Sequence, residues 1–215
     1  MTNFFLSIFF LTTLFSTWPN YDNQPNAGTL SYNQQGKNVD LGMDFIDVYK
    51  LTIGKTFLYG NYESFINDMG IPSKVTITKT DFEIKSKADL DKVIATAKDP
   101  NIVTLHYPGI DMWFAYDNYI IPSTIDFRNT DKSVTYGQTT FDTTYTIEQF
   151  KKQFPKSANL SLDLPQSLFE MITKEKGANF KHYMLMRKSK DDPDATPMVE
   201  FTFDNGKLIF IFFAN

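Results

Sequence analysis

The chain has 215 residues, of which 42% are hydrophobic and 21% are charged, a balance typical of a globular protein with a real core. Its formal net charge is −4, and its basic and acidic residues are interspersed without a basic block, which argues against a nucleic-acid-binding protein. It contains no cysteine, which excludes disulfides, thiol catalysis, cysteine-ligated zinc and a lipid anchor on cysteine.

The N-terminal segment is apolar, aromatic and uncharged up to Trp18. The run from Phe4 to Phe15 is too short to span a bilayer comfortably and fits the hydrophobic region of a secretory signal, although the usual positive residues before it are missing. We therefore predict a signal peptide over residues 1–18 and a periplasmic or secreted protein. The alternative is a buried strand or helix of the fold. Residues 19–48, rich in Asn, Gln, Gly and Pro, are predicted to form a flexible linker.

The remaining chain contains the same order of elements twice, over residues 49–130 and 131–215. Each half begins with a Gly turn, continues with two amphipathic helices and ends in strands that start with His-Tyr and contain an Asp-Asn turn. The paired landmarks are His106 with His182 and Asp117 with Asp204.

The helices are predicted from apolar residues that recur at helical spacing and from their end signals. The first helix of each half covers 62–69 or 147–154, and Thr146 and Gln149 have the spacing of a capping box. The second helix begins after Ser86 in one half and at Pro165 in the other. In this last helix, the residues predicted to face the core are Leu168, Met171 and Ile172.

These elements predict an α+β fold, a tandem duplication of a helix-loop-helix packed on an antiparallel β-sheet. The Thr-x-Gly-x-Thr pattern of Thr52–Thr56, followed by a helix that ends at Gly70 and Pro72, resembles the β-lactamase-inhibitor-protein-like fold and the small lipoprotein of the outer-membrane barrel assembly machine. The inhibitor is itself a tandem of two such units, so the resemblance covers about 49–213. It implies an inhibitor-like or assembly-like binding function. The chain departs from both relatives because it lacks their disulfides and lipidated cysteine.

Neither histidine is predicted to be catalytic or to bind a metal. Alternation places His182 on one strand face with Phe180, Met184 and Met186, an environment typical of a half-buried structural histidine. A zinc site needs at least three ligands, which two histidines supply only if carboxylates complete the set. No serine lies in a nucleophile motif beside either histidine. We predict no catalytic residue, no metal and no cofactor.

A binding surface on the sheet faces turned away from the helices is the remaining possibility. An antiparallel sheet can keep such a face in water, and aromatic side chains there are favoured interface anchors. The predicted partner-binding residues are Tyr107, Trp113, Tyr183, Lys181, Arg187, Glu200 and Thr202. Among them, Trp113 and Tyr107 are the predicted anchors.

The sequence therefore predicts an exported, non-enzymatic protein that recognises a macromolecular partner, by preference a protein, through open sheet faces. No nucleic acid is expected as a partner, and the membrane is contacted only through the N-terminal signal segment. Two alternatives stay open. One is a small-molecule binder or hydrolase that uses the groove between the two repeats, and the other is a purely structural envelope protein.

Overall fold

Strands are the main secondary structure of this fold. The computed structural model describes residues 42–97, 103–115, 118–159, 168–176, 179–187 and 198–214. Within these ranges, fourteen strands form a ten-stranded and a four-stranded sheet, and all five α-helices are short. Tight turns join many neighbouring strands. Asn205 and Gly206 have the positive φ angles, 48° and 80°, that a two-residue hairpin turn requires.

The large sheet is antiparallel except at one edge, where the strands Phe45–Ile46 and Phe180–Arg187 run parallel. Its strands, in order across the sheet, are β1 (Phe45–Ile46), β12 (Phe180–Arg187), β13 (Met198–Asp204), β14 (Lys207–Phe213), β9 (Tyr119–Asp126), β8 (Ile110–Ala115), β7 (Val103–Tyr107), β5 (Lys74–Ile77) and β6 (Thr80–Glu83). The short strand β4 (Gly60–Asn61) also pairs with the start of β9.

The small sheet closes the core from the other side. Its strands, in order, are β11 (Thr139–Phe141), β10 (Val134–Tyr136), β2 (Leu51–Ile53) and β3 (Thr56–Phe57). Phe141 on this sheet meets Phe201 of the large sheet edge-on, with ring centroids 5.2 Å apart. Both rings are fully buried, so the two sheets share one apolar core.

The described residues contain five α-helices. They are α1 (Tyr62–Met69), α2 (Lys87–Ile94), α3 (Ile147–Gln153), α4 (Pro155–Asn159) and α5 (Leu168–Thr173). The Ser86 side chain accepts a hydrogen bond from the backbone of Asp89, and Thr146 and Gln149 form a complete capping box. The predicted helix over 62–69 and the predicted caps of α2 and α3 are confirmed.

The large sheet has two chemically different faces, because alternate side chains of a strand point to opposite sides. The core face packs against the small sheet and helices α1–α3, and it carries the fully buried residues Val75, Leu105, Met112, Ile125 and Phe201. The opposite face is called the outer face, and it carries His106, Asp111, Trp113, Thr124 and Glu200. The candidate site lies on the outer face.

The predicted fold class is wrong. The chain is mostly β and is not a tandem of helix-loop-helix units on antiparallel sheets. In its second half the helices lie on opposite sides of the large sheet. α3 packs Phe150 on Phe201 of the core face at 5.5 Å, whereas α5 packs Phe169 on Phe210 of the outer face at 5.1 Å. The buried side of α5 also differs from the prediction, since Phe169 is fully buried and Ile172 is 43% exposed.

The two halves of the chain share strand pairs in both sheets. In the small sheet β2 pairs with β10, and in the large sheet β9 pairs with β14. The described residues accordingly belong to one compact unit. Asp117 lies outside the described residues, so the superposition of the two Asp-Asn turns stays a prediction.

The end of the segment predicted as a linker belongs to the fold. Met43, Ile46 and Val48 are buried, and the Asp44 carboxylate accepts hydrogen bonds from two backbone N–H groups at the start of α4. The predicted signal peptide and most of the predicted linker fall in residues 1–41, outside the described residues. None of the described helices is long and apolar enough to cross a membrane.

Gly109, in the turn between β7 and β8, is expected to tolerate no side chain. Its φ is +68°, and an added Cβ would lie 2.5 Å from the carbonyl oxygen of Asp126 and 2.8 Å from the backbone of Asn129. Gly109→Ala should therefore lower the free energy of unfolding by about 3 kcal/mol or more, measured by urea unfolding.

Gly54→Ala is the matched control, because φ at Gly54 is +60° and nothing lies within 4 Å of the added Cβ. This substitution should cost only the backbone strain of about 1 to 2 kcal/mol. Equal losses for the two variants would contradict the close packing of the β7–β8 turn against the chain after β9.

Candidate functional site

Cross-strand neighbours on the outer face form a continuous row. From β6 to β12, the row consists of Glu83, Lys74, His106, Asp111, Thr124, Phe212, Glu200 and Met184. A second row beside it consists of Asp81, Thr76, Thr104, Trp113 and Ile121. Side chains of these rows on β5–β9 are half-buried or exposed, whereas those on β12–β14 are buried. The outer face thus has an open half, on β5–β9, and a covered half, on β12–β14.

His106 is the centre of a hydrogen-bonded chain on the open half. Its Nδ1 lies 2.7 Å from Asp111 Oδ1, and its Nε2 lies 2.7 Å from Thr76 Oγ1. Thr76 Oγ1 is also 2.6 Å from Asp81 Oδ1, and Lys74 Nζ is 2.9 Å from the other oxygen of Asp81. The chain links β6, β5, β7 and β8, so it braces four strands of the open half.

The order Asp111, His106, Thr76 is that of an acid, a base and a hydroxyl, as in hydrolases with an activated nucleophile. A hydroxyl has one proton, however, and here two acceptors compete for it. The hydrogen bond from Thr76 is the largest reason why the pKa of Asp81 is lowered, with Lys74 the next. A Thr76 hydroxyl that donates to Asp81 does not donate to His106, so this geometry favours a polar brace over an activated nucleophile.

His182 occupies the covered half, beneath α5. Its Nδ1 lies 3.1 Å from Glu200 Oε1 and 3.1 Å from Thr202 Oγ1, and its Nε2 lies 3.9 Å from Glu170 on α5. Glu200 and Thr202 are both fully buried. The backbone N–H of Phe169 donates to Glu200 Oε1 at 3.3 Å, so α5 bonds to the same carboxylate. Such partners are what a carboxylate needs when it is removed from water.

Arg128 fastens α5 and the residues after it to the sheet. Its guanidinium donates to both Asp126 oxygens, at 2.9 and 2.8 Å, and to both Glu175 oxygens, at 2.7 and 3.0 Å. It also lies over the Phe169 ring, 5.5 Å from the ring centroid. Hydrogen bonds to Asp126 and then Glu175 raise the pKa of Arg128. The outer face is therefore covered here by an arginine held between two carboxylates and an aromatic ring.

An apolar strip lies beside the polar chain on the open half. Trp113 pairs across to Ile121 on β9, and Tyr119 lies two residues before Ile121, on the same side of that strand. Diagonal neighbours of this kind are within reach of aromatic side chains. Tyr119 is 49% exposed, and Trp113 and Ile121 are half-buried. These three residues are called the aromatic strip.

Tyr107, one of the two predicted anchors, lies on the core face. It is only 8% exposed, and its ring meets Phe65 edge-on at 5.7 Å. Its hydroxyl donates to the carbonyl oxygen of Gly70 at 3.1 Å, and burial raises the pKa of Tyr107. Tyr107 and Trp113 therefore lie on opposite faces and do not form a joint anchor.

The other predicted partner-binding residues are also divided. Tyr183 and Lys181 share a face of β12, as predicted, but it is the core face, where the Tyr183 ring lies 4.9 Å from Phe150. Lys181 is exposed near the start of the strand. Arg187 ends β12, and its side chain lies outside the described part of the structure. Glu200 and Thr202 are on the outer face but fully buried, so they offer no contact surface.

Histidine and carboxylate side chains meet around His106 and around His182. Neither place provides a group of three or more His, Asp or Glu side chains arranged to hold an ion, nor does any other site within the described ranges. At His182, the third candidate, Glu170, is 3.9 Å from the ring nitrogen. The absence of a metal and of a cofactor stays a prediction.

Sequence reasoning missed Tyr119 and the polar chain at His106. The available signal was the alternation of Tyr119 with Ile121, which places both on one side of β9. A β-bulge interrupts this alternation later in β9. Asp111 pairs with Thr124 while Met112 pairs with Pro122, so Ser123 is the extra residue. Alternation read through the whole strand would place Tyr119 and Thr124 on opposite faces.

Tyr107→Phe should lower the free energy of unfolding by about 1 kcal/mol near pH 7, because it removes the hydrogen bond to Gly70. This difference should shrink above about pH 10. The pKa of Tyr107 is raised in the folded state, so the unfolded chain releases the phenolic proton first and the native protein loses stability as pH rises. Phenylalanine has no such proton to release.

Urea unfolding near pH 7 and near pH 10.5 provides the measurement. Tyr119→Phe is the control, since Tyr119 is 49% exposed and should change stability at neither pH. If Tyr107→Phe lowers the free energy of unfolding by the same amount at both pH values, the result would count against a buried, hydrogen-bonded hydroxyl.

Comparisons of the chain with protein-family models, with curated proteins and with solved structures find no match. The likeness to the β-lactamase-inhibitor-protein-like fold therefore rests on the short motifs in the sequence alone. What the protein does has to be argued from the outer face itself.

Proposed function

We propose that this protein is an exported, non-catalytic binding protein of the cell envelope or the secreted fraction. It recognises a protein partner through the open half of the outer face, with the aromatic strip as the contact. The proposal keeps Trp113 from the predicted site. It replaces Tyr107, which is buried, with Tyr119, which is 49% exposed.

The aromatic strip is the observation that carries the proposal. Three large apolar side chains lie together on a sheet face whose other half is covered by α5. Removing apolar surface from water contributes roughly 25 cal/mol per Å² to association, and contiguous exposed patches on soluble proteins commonly mark interaction sites. On the covered half, similar apolar residues are buried by the chain's own Phe169, and the open half lacks such a cover among the described residues.

The polar chain beside the strip supports a preformed site. Hydrogen bonds from His106 to its neighbours join four adjacent strands, so the row next to Trp113 is fixed before any partner arrives. A surface that is already ordered loses less conformational entropy on binding, which leaves more of the contact energy for affinity. The hydrogen-bonded chain around His106 thus has a role in binding that requires no catalysis.

The binding test uses protein carrying Trp113→Ala or Tyr119→Ala. Wild-type protein is used to capture a partner from the envelope fraction of the source cell, and the partner is identified, purified and titrated. Each variant should weaken binding by about 2 kcal/mol, roughly 30-fold, with little change in melting temperature, because interface aromatics carry such energies.

Phe57→Ala is the matched control. Phe57 is 54% exposed but belongs to the small sheet, away from the outer face, so its loss should leave the affinity unchanged. Full affinity in both strip variants, or an equal loss in Phe57→Ala, would rule out the strip as the contact.

A hydrolase is the second candidate, because Asp111, His106 and Thr76 follow one another at 2.7 Å spacings. We expect no hydrolysis that depends on Thr76, since its hydroxyl proton also has Asp81 as an acceptor at 2.6 Å. The assay is p-nitrophenyl acetate hydrolysis by wild type and by Thr76→Ala. The control is Thr104→Ala, which removes a neighbouring hydroxyl of the same face. A burst of nitrophenol lost only in Thr76→Ala would replace the binding proposal with an enzyme.

A further inference from the structure

We infer that the partner segment seated on the aromatic strip is basic, with an arginine side chain placed over Trp113 and paired with Asp111. This inference rests on the proposed function and adds the chemistry of the partner. Its basis is the charge of the open half, the position of one carboxylate beside Trp113, and an arginine that the protein already holds on the same face.

The open half carries an excess of negative charge. Its carboxylates on the two rows are Asp81, Glu83 and Asp111, and Lys74 is the ammonium group among them. Lys74 is paired with Asp81 at 2.9 Å, so these two charges offset each other and the negative excess comes from Glu83 and Asp111. A surface of this sign attracts cationic segments and repels anionic ones, which sets specificity and speeds association.

The side chain of Asp111 lies beside that of Trp113 on the outer face of β8. The two residues are separated by one position on β8, which places their side chains on one face about 7 Å apart along the strand. The Asp111 side chain is 39% exposed although it bonds to His106 and to the Thr124 hydroxyl. A guanidinium that stacks over the indole ring, within about 6 Å of its centre, would therefore have a carboxylate within reach of its N–H groups.

Arg128 demonstrates this combination on the outer face itself. It lies 5.5 Å from the Phe169 ring centroid while it bonds to Asp126 and Glu175. Asp126 belongs to β9, the strand that also carries Ile121 and Tyr119 of the aromatic strip. The open half offers the same two components, an aromatic ring and a carboxylate, without a cation from the described chain over Trp113. Arginine suits this position better than lysine because its planar group stacks and donates in a fixed fork.

The experiment follows Trp113 fluorescence in full-length protein carrying Trp18→Phe, so that Trp113 is the sole tryptophan whether or not the N-terminal segment is removed. The probes are amidated hexa-arginine, hexa-lysine and hexa-glutamate peptides at low salt. Hexa-arginine should change the Trp113 emission with saturation, hexa-lysine should bind several-fold more weakly, and hexa-glutamate should give no change.

Two charge-matched variants locate the contact. Asp111→Asn should weaken hexa-arginine binding by about fivefold or more, since it removes the carboxylate beside the ring. Asp131→Asn removes the same charge from a loop residue whose side chain is 89% exposed, and it should change the affinity less than twofold. A thermal melt of each variant confirms that the fold is kept.

Equal weakening in the two variants would mean that hexa-arginine responds only to net charge, and the inference would be overturned. Binding of hexa-glutamate in place of hexa-arginine would overturn it too. If hexa-arginine fails to bind while the captured partner still needs Trp113, the inference of a basic partner segment is wrong and the proposed binding function stands. If the partner binds Trp113→Ala at full strength, the proposed function itself fails.

Discussion

The antiparallel pairing of β9 with β14 is the contact on which the rest of the structure depends. Each strand closes a three-stranded meander, β7–β9 or β12–β14, and their pairing through Ile125 and Ile211 joins the two meanders into one sheet. Without it, both meanders would present unpaired backbone groups at an edge, which invites aggregation. With it, side chains from Lys74 to Met184 share a single outer face, half of it open and half covered.

The sequence predicts local structure well where the signal is local. The apolar spacing of α1, the capping box of α3 and the turn at Asn205 and Gly206 are decided by neighbouring residues, and each prediction is confirmed. The side of the sheet on which a helix packs is determined instead by tertiary contacts. α5 takes the outer face because Phe169 fits against Phe180 and Phe210, with ring centroids 5.1 Å from each. Helical spacing alone could not separate Phe169 from Ile172 as the buried position.

The prediction that Tyr107 and Trp113 both anchor a partner on one sheet face is wrong because of the length of the turn between their strands. Pro108 and Gly109 form a two-residue turn, so Tyr107 pairs with Ile110 and the two share a face. Counting onward from Ile110, Met112 lies on the core face and Trp113 on the outer face. Once the length of the turn is known, the alternation of side chains along β7 and β8 places Tyr107 and Trp113 on opposite faces. The bulge at Ser123 shifts the count again in β9, and its local signal is the neighbouring Pro122, because proline inside a sheet is found at edges or bulges.

The division of the outer face gives each half a natural spectroscopic reporter. The chain has two histidines, and both lie on this face, His106 on the open half and His182 beneath α5. In deuterated water, after the amide protons have exchanged, the imidazole Hε1 protons resonate downfield of most other proton signals of a protein. Their two lines can therefore be followed in unlabelled protein. Movement of one line without the other would tell a ligand seated beside Trp113 from a displacement of α5, with no engineered label on either surface.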